Sequence, residues 1–183
     1  MLVLASRSPR RSELLRNAGI AFRVEAADVD ETPRAREAPE DYVQRVAEAK
    51  AMAVAPGPND IVLGADTVVV IDGEMLGKPA DAADAARMLR LLSGRRHEVI
   101  TGICLRKANQ VVRDWAATSV WFNPLSGDEI EEYVASGEPM DKAGAYAIQG
   151  LASKFVERID GCYFNVMGLP VAMVYRHLRE SFT

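Results

Sequence analysis

The sequence predicts an α/β fold, and three features predict it. The apolar run Leu2 to Ala5 passes directly into Ser6-Arg7-Ser8-Pro9 and then a helical pattern, giving a strand, a loop and a helix in succession. Ile61 to Ile71 is apolar on both faces apart from Asp66, the pattern of a central strand covered by helices. Asp81 to Leu92 places Ala85, Met88, Leu89 and Leu92 on one helical face, so that helices follow strands along the chain.

Length and charge narrow the possibilities. The chain has 183 residues, enough for a single domain over 1–183 with a sizeable core. Its 22 Lys and Arg against 26 Asp and Glu give a net charge of −4, which argues against a general nucleic-acid binder. No run has the length of a membrane span or a signal sequence, so a soluble cytoplasmic protein without a membrane partner is expected. Cys104 and Cys162 lie far apart with no CxxC pair, which speaks against structural zinc and for two small apolar residues in or near the core. His97 and His177 have no nucleophile beside them and read as structural or solvent-facing.

Taken in order, the first helix should start at Ser8, a good N-cap, with Pro9 at the first helical position, and run through Leu14, Leu15 and Ala18 to Gly19. Arg11 stands where a capping box would place Glu or Gln, and Arg7 and Arg10 flank it, although the positive end of a helix dipole favours anions. Either a bound phosphate or a solvated basic turn accounts for this crowding. Ile20, Phe22 and Val24 alternate as a second strand, followed by the acidic segment Asp28 to Pro33. Pro39 opens a second helix whose inward stripe holds Val43, Val46, Ala47 and Val54. Lys50 shares that stripe and must either snorkel to water or meet an anion.

Asp66 interrupts the central strand among Leu63, Ala65, Val68 and Val69, where a carboxylate needs a partner, a metal or a chemical task. Gly64 leaves room for a close approach to the backbone. Asp72-Gly73 turns the chain into a hairpin arm, Glu74 to Gly77, followed by Lys78-Pro79, which is either a phosphate contact or an exposed turn. After the helix ending at Leu92, Glu98 to Leu105 and Val111 to Phe122 read as strands, and Ser126 with Glu129 forms a capping box for a helix ending at Gly137. Glu138 to Gly150 is rich in small and polar residues and suits the wall of a pocket; Phe155 to Ile159 is a strand. A last helix from Pro170 to Leu178 should turn Val171, Val174, Tyr175 and Leu178 inward.

Together, Ser6-Arg7-Ser8-Pro9-Arg10-Arg11, Gly64-Ala65-Asp66-Thr67, Lys78-Pro79, Asp141 to Tyr146, Gly150 and Gly168-Leu169-Pro170 resemble the Maf family of nucleoside triphosphate pyrophosphatases nearly end to end. The resemblance implies a long curved mixed β-sheet flanked by helices, two lobes around a deep cleft as in inosine triphosphatases, and a homodimer. It makes Asp66 the proton acceptor and associates Arg11, Thr67 and Gln149 with substrate choice. The Ile148-Gln149-Gly150 ending is similar to the branch acting on dTTP and UTP rather than 7-methyl-GTP, although Ala147 stands where many members have Gly.

The implied reaction releases a nucleoside monophosphate and pyrophosphate, a house-cleaning activity linked in some members to septum formation. Ser6, Ser8, Arg10, Arg11, Lys50 and Lys78 could hold the triphosphate, with Mg²⁺ or Mn²⁺ supported by Asp66 and Glu31. Asp28 and Asp30 compete with Glu31 for the metal side. Gln149 offers a donor and an acceptor for O4 and N3–H of uracil or thymine, with Tyr146 as a wall or core residue. The rival readings are a nucleotide-binding regulator with weak hydrolysis and a nucleic-acid module, the second disfavoured by the net charge.

Overall fold

The structure, a computed structural model, describes residues 1–26 and 28–182. Its strands are β1 (Leu2–Leu4), β2 (Phe22–Val24), β3 (Ile61–Ile71), β4 (Glu74–Leu76), β5 (Arg96–Lys107), β6 (Gln110–Phe122) and β7 (Val156–Asp160). The helices are α1 (Pro9–Asn17), α2 (Pro39–Met52), α3 (Ala82–Leu92), α4 (Gly127–Ala135), α5 (Tyr163–Met167) and α6 (Val171–Ser181). The strands form one mixed seven-stranded sheet in the order β2-β1-β3-β5-β6-β7, with β4 paired to β3. β1 lies parallel to β2 and β3, whereas β4 on β3 and β7 on β6 are antiparallel. The expected mixed α/β sheet is therefore present. Among the described residues, no helix is long and apolar enough to cross a membrane.

Residue contacts divide the chain into two compact units. The first comprises Met1–Asp66, Thr101–Ala116 and Gly168–Thr183, and the second Thr67–Ile100 and Ala117–Met167. A core of the first contains Val3, Ala5, Ala47, Ala51, Val54, Val62 and Cys104. Two glycines set how closely α2 approaches the strands here. A Cβ at Gly64 on β3 would lie 2.0 Å from the Ala47 carbonyl oxygen, and one at Gly102 on β5 would lie 2.5 Å from the Val43 carbonyl carbon. Any larger residue at either position would push the helix off the sheet.

In the second unit, Val69, Ile71 and Leu76 of the β3–β4 hairpin pack with Met88, Leu89 and Leu92 of α3 and with Phe122, Tyr133 and Phe155. Asp81 caps α3 by accepting from the Asp84 N–H at 2.8 Å, and the Ser126–Glu129 capping box opens α4 as its sequence pattern predicts.

Two features differ from the sequence reading. Tyr175, assigned to the inward stripe of the last helix, is exposed, and Val174 is the fully buried residue of α6. Turning one residue along a helix swings the side chain by a quarter turn or more, and the apolar stripe is too short here to fix its centre. The five-residue helix α5 is also absent from the sequence reading, being too short to show a period.

Candidate active site

At the start of α1, the Ser8 side chain caps the helix by accepting from the Arg11 N–H, and no acidic residue occupies the first turn. The Ser6 hydroxyl accepts from the Ser8 N–H at 3.2 Å and from Arg11 Nη1 at 3.0 Å. Arg11 is buried, and its Nε donates to the Gly168 carbonyl at 2.8 Å while Nη1 also donates to the Ala65 carbonyl at 2.9 Å. Burial draws its pKa below the ordinary 12.5, while the charge of Asp66 opposes that shift. The guanidinium thus ties the helix start to the strand residue preceding Asp66. Arg10 is half-buried in the first turn, and exposed Arg7 pairs with Asp28 at 2.8 Å.

Asp66 is 7% exposed and Lys50 9%, and Lys50 Nζ meets Asp66 Oδ1 at 2.8 Å. The contact follows from local geometry. Gly64 and Asp66 lie two residues apart on one face of β3, and α2 rests on Gly64 through Ala47, one helical turn before Lys50. Of the two fates open to an inward lysine, the structure gives the one with an anion.

The same Nζ lies 2.8 Å from Glu31 Oε1, so one ammonium bridges a buried carboxylate and a half-exposed one. Glu31 is thereby distinguished from its neighbours, since Asp28 pairs with Arg7 and Asp30 accepts from the Thr32 N–H at 2.9 Å.

The sequence reading did not single out the residues that hold Glu31 in place. Tyr42 donates its hydroxyl to the Glu31 carbonyl at 2.9 Å. Its phenol is pushed up to about 12, by burial first and then by the charges of Asp66 and Glu31, so it remains a neutral donor. Arg45 donates to the Thr32 carbonyl at 3.1 Å and to Glu37 Oε2 at 2.8 Å. The four-residue spacing of Tyr42, Val46 and Lys50 could have placed this phenol on the Lys50 face. Among the described residues, no three His, Cys, Asp or Glu side chains gather as a metal cage.

The remaining sequence candidates belong to the second unit. Thr67 follows Asp66 on β3 and is half-buried. Exposed Lys78 follows the end of β4 by two residues. Tyr146 is a core residue, 6% exposed, with its hydroxyl 2.8 Å from His97 Nε2. Gln149 is exposed on a turn closed by the Gly150 N–H donating to the Ala147 carbonyl at 3.0 Å.

Comparison with known proteins bears on this arrangement. The profile of the family described as Maf-like protein matches residues 1–181. The chain is 56% identical over 181 residues to a dTTP/UTP pyrophosphatase of Koribacter versatilis (strain Ellin345), covering 98% of this chain and 94% of that protein. It is 54% identical over 181 residues to a dTTP/UTP pyrophosphatase of Geobacter sp. (strain M21), covering 97% and 94%. Among solved structures, the Ham1 protein of Staphylococcus aureus shares the fold, with a TM-score of 0.55 at 16% identity over 97% of each chain.

Proposed function

The chain belongs to the Maf-like protein family, and on that premise we propose that it hydrolyses nucleoside triphosphates, dTTP and UTP foremost, to the monophosphate and pyrophosphate. The observation that carries the mechanism is the buried Asp66, set in an apolar strand and held by Lys50.

In this reading a water molecule adds to the α-phosphorus and its proton passes to Asp66. The α–β anhydride bond breaks, and pyrophosphate departs with the bonding electrons. Lys50 orients the Asp66 carboxylate, and Glu31 shares that task from the other side of the ammonium. The α1 start, with Ser6, Ser8, Arg10 and Arg11, receives the phosphates, and Lys78 adds a further cation. Arg11 serves chiefly through its buried charge and by fixing the backbone beside Asp66. Gln149 reads the O4 and N3–H edge of the base, with Thr67 supporting the choice.

Two carboxylates sharing one cation suit Mg²⁺ or Mn²⁺, since Mg²⁺ takes one or two protein carboxylates and completes its shell with phosphate oxygens and water. Asp66 and Glu31 would hold such an ion, which when bound supplies charge neutralisation at the phosphates. We extend the proposal to one catalytic domain over 1–183 acting as a homodimer, which light scattering reads directly.

The test is release of pyrophosphate and monophosphate from dTTP, UTP, CTP, GTP and 7-methyl-GTP with Mg²⁺ or Mn²⁺. Turnover of dTTP and UTP should exceed the others, and Asp66→Asn should lower kcat by about 10²–10⁴-fold, the range for losing a general base. Undiminished turnover in Asp66→Asn would refute the assignment of the base. Tight binding of dTTP without turnover would leave a nucleotide-binding regulator.

A further inference from the structure

Thymine and uracil present an acceptor beside an N–H, but guanine does the same through O6 and N1–H. An amide such as that of Gln149 therefore cannot separate a pyrimidine from guanine by hydrogen-bond pattern alone. The two differ in how far that edge lies from the sugar, so the position of Gln149 must be fixed for the choice to be made.

The turn bearing Gln149 is fixed at both ends. On one side the Ala147 N–H donates to the Tyr133 hydroxyl at 3.3 Å. On the other, the Leu151 N–H donates to the Glu138 carboxylate, 3.1 Å from each oxygen. The two anchors are joined, because the Tyr133 hydroxyl donates to Glu138 Oε1 at 2.8 Å.

A single chain of hydrogen bonds thus runs from Ala147 through Tyr133 and Glu138 to Leu151 and spans the tripeptide Ile148-Gln149-Gly150. It requires a neutral phenol, and Tyr133 is held in that form by burial first and by the Glu138 carboxylate second, both raising its pKa. Glu138 is itself held, its N–H donating to Ser136 Oγ at 3.2 Å and its carbonyl accepting from Lys142 Nζ at 2.6 Å. The turn is shaped to the carboxylate, since a Cβ on Gly150 would lie 2.5 Å from both Glu138 oxygens.

We propose that Glu138 and Tyr133 are positioning residues that set the depth at which Gln149 meets the base, and so make the enzyme select pyrimidine over guanine. The proposal rests on the assignment of Gln149 to base reading. Neither residue has a part in the phosphate chemistry assigned to Asp66, Lys50 and Glu31.

The experiment compares kcat/KM for dTTP with kcat/KM for dGTP in the same preparation of full-length protein, a ratio from which the fraction of folded enzyme cancels. Glu138→Ala and Tyr133→Phe should each lower the dTTP:dGTP ratio about tenfold, as expected for freeing an end of the turn from one or two hydrogen bonds. Glu138→Gln, whose carbonyl oxygen can replace Oε1 as acceptor for both donors, should retain most of the ratio. A wild-type ratio in both Glu138→Ala and Tyr133→Phe, while Gln149→Ala lowers it, would overturn the positioning role alone. A wild-type ratio in Gln149→Ala would overturn the base-reading assignment and this proposal with it.

Discussion

Lowering the pH from 8 to 5 should destabilise the second unit through one side chain, His97. The imidazole is 2% exposed, lies edge-on to Phe122 and Tyr146 at centroid distances of 5.0 and 5.4 Å, and meets the Tyr146 hydroxyl. Burial lowers its pKa from 6.5 to about 4, with the nearby Arg95 backbone acting in the opposite direction. The folded protein therefore keeps the ring neutral where the unfolded chain takes up a proton.

The resulting stability is fully present above pH 6.5, is lost as pH falls towards 4, and levels off below that. The whole effect is about 3 kcal/mol, of which roughly 2 kcal/mol is gone by pH 5. Glu37, held down to about 2 chiefly by its bond from Arg45, loses its contribution only below its ordinary 4.5, so it leaves this window clear. Urea unfolding of the wild type and of His97→Gln at pH 8 and pH 5 isolates the contribution of this imidazole. The wild type should lose about 2 kcal/mol more than the variant, or about 1 M in midpoint at a slope near 2 kcal/mol/M. Equal losses in the two proteins would refute a neutral, buried His97.

Two further substitutions test the first unit. Gly64→Ala sets a methyl group against the backbone of α2, 2.0 Å from the Ala47 oxygen and 2.9 Å from the Ala51 nitrogen, so the cost should reach the upper end of overpacking, about 3 kcal/mol, in a denaturation curve. Activity should fall with it, because the displaced helix carries Lys50. Arg11→Lys keeps the charge but removes the fork that reaches Gly168, Ser6 and Ala65, and thermal unfolding should show a loss of about 2–4 kcal/mol.

Several site features were legible because they depend on neighbours in the chain. Ser8 and Pro9 start α1 through their own backbone preferences, and the helix follows from Pro9 to Asn17. Asp66 stood out because a carboxylate in an apolar strand has a desolvation cost that the sequence alone reveals. Lys50 was legible for the same reason: helical spacing put a cation on an inward stripe and required an anion without saying which.

The partners themselves were decided by tertiary structure. The sequence left Arg11's neighbours open, and the carbonyls that accept from its guanidinium belong to Ala65 and Gly168, 54 and 157 residues away. That Lys50 pairs with Glu31, while Asp28 pairs with Arg7 and Asp30 accepts from the Thr32 N–H, depends on where one ammonium sits, because three acidic side chains in one loop have the same local character.

His97 read as structural or solvent-facing and Tyr146 as wall or core, and the fold makes both core residues by bringing them together across 49 residues. Local preferences and burial costs belong to each residue and its near neighbours, so the sequence carries them. A hydrogen bond's partner depends on where distant backbone passes, and here that is set by contacts such as α2 resting on Gly64 and Gly102.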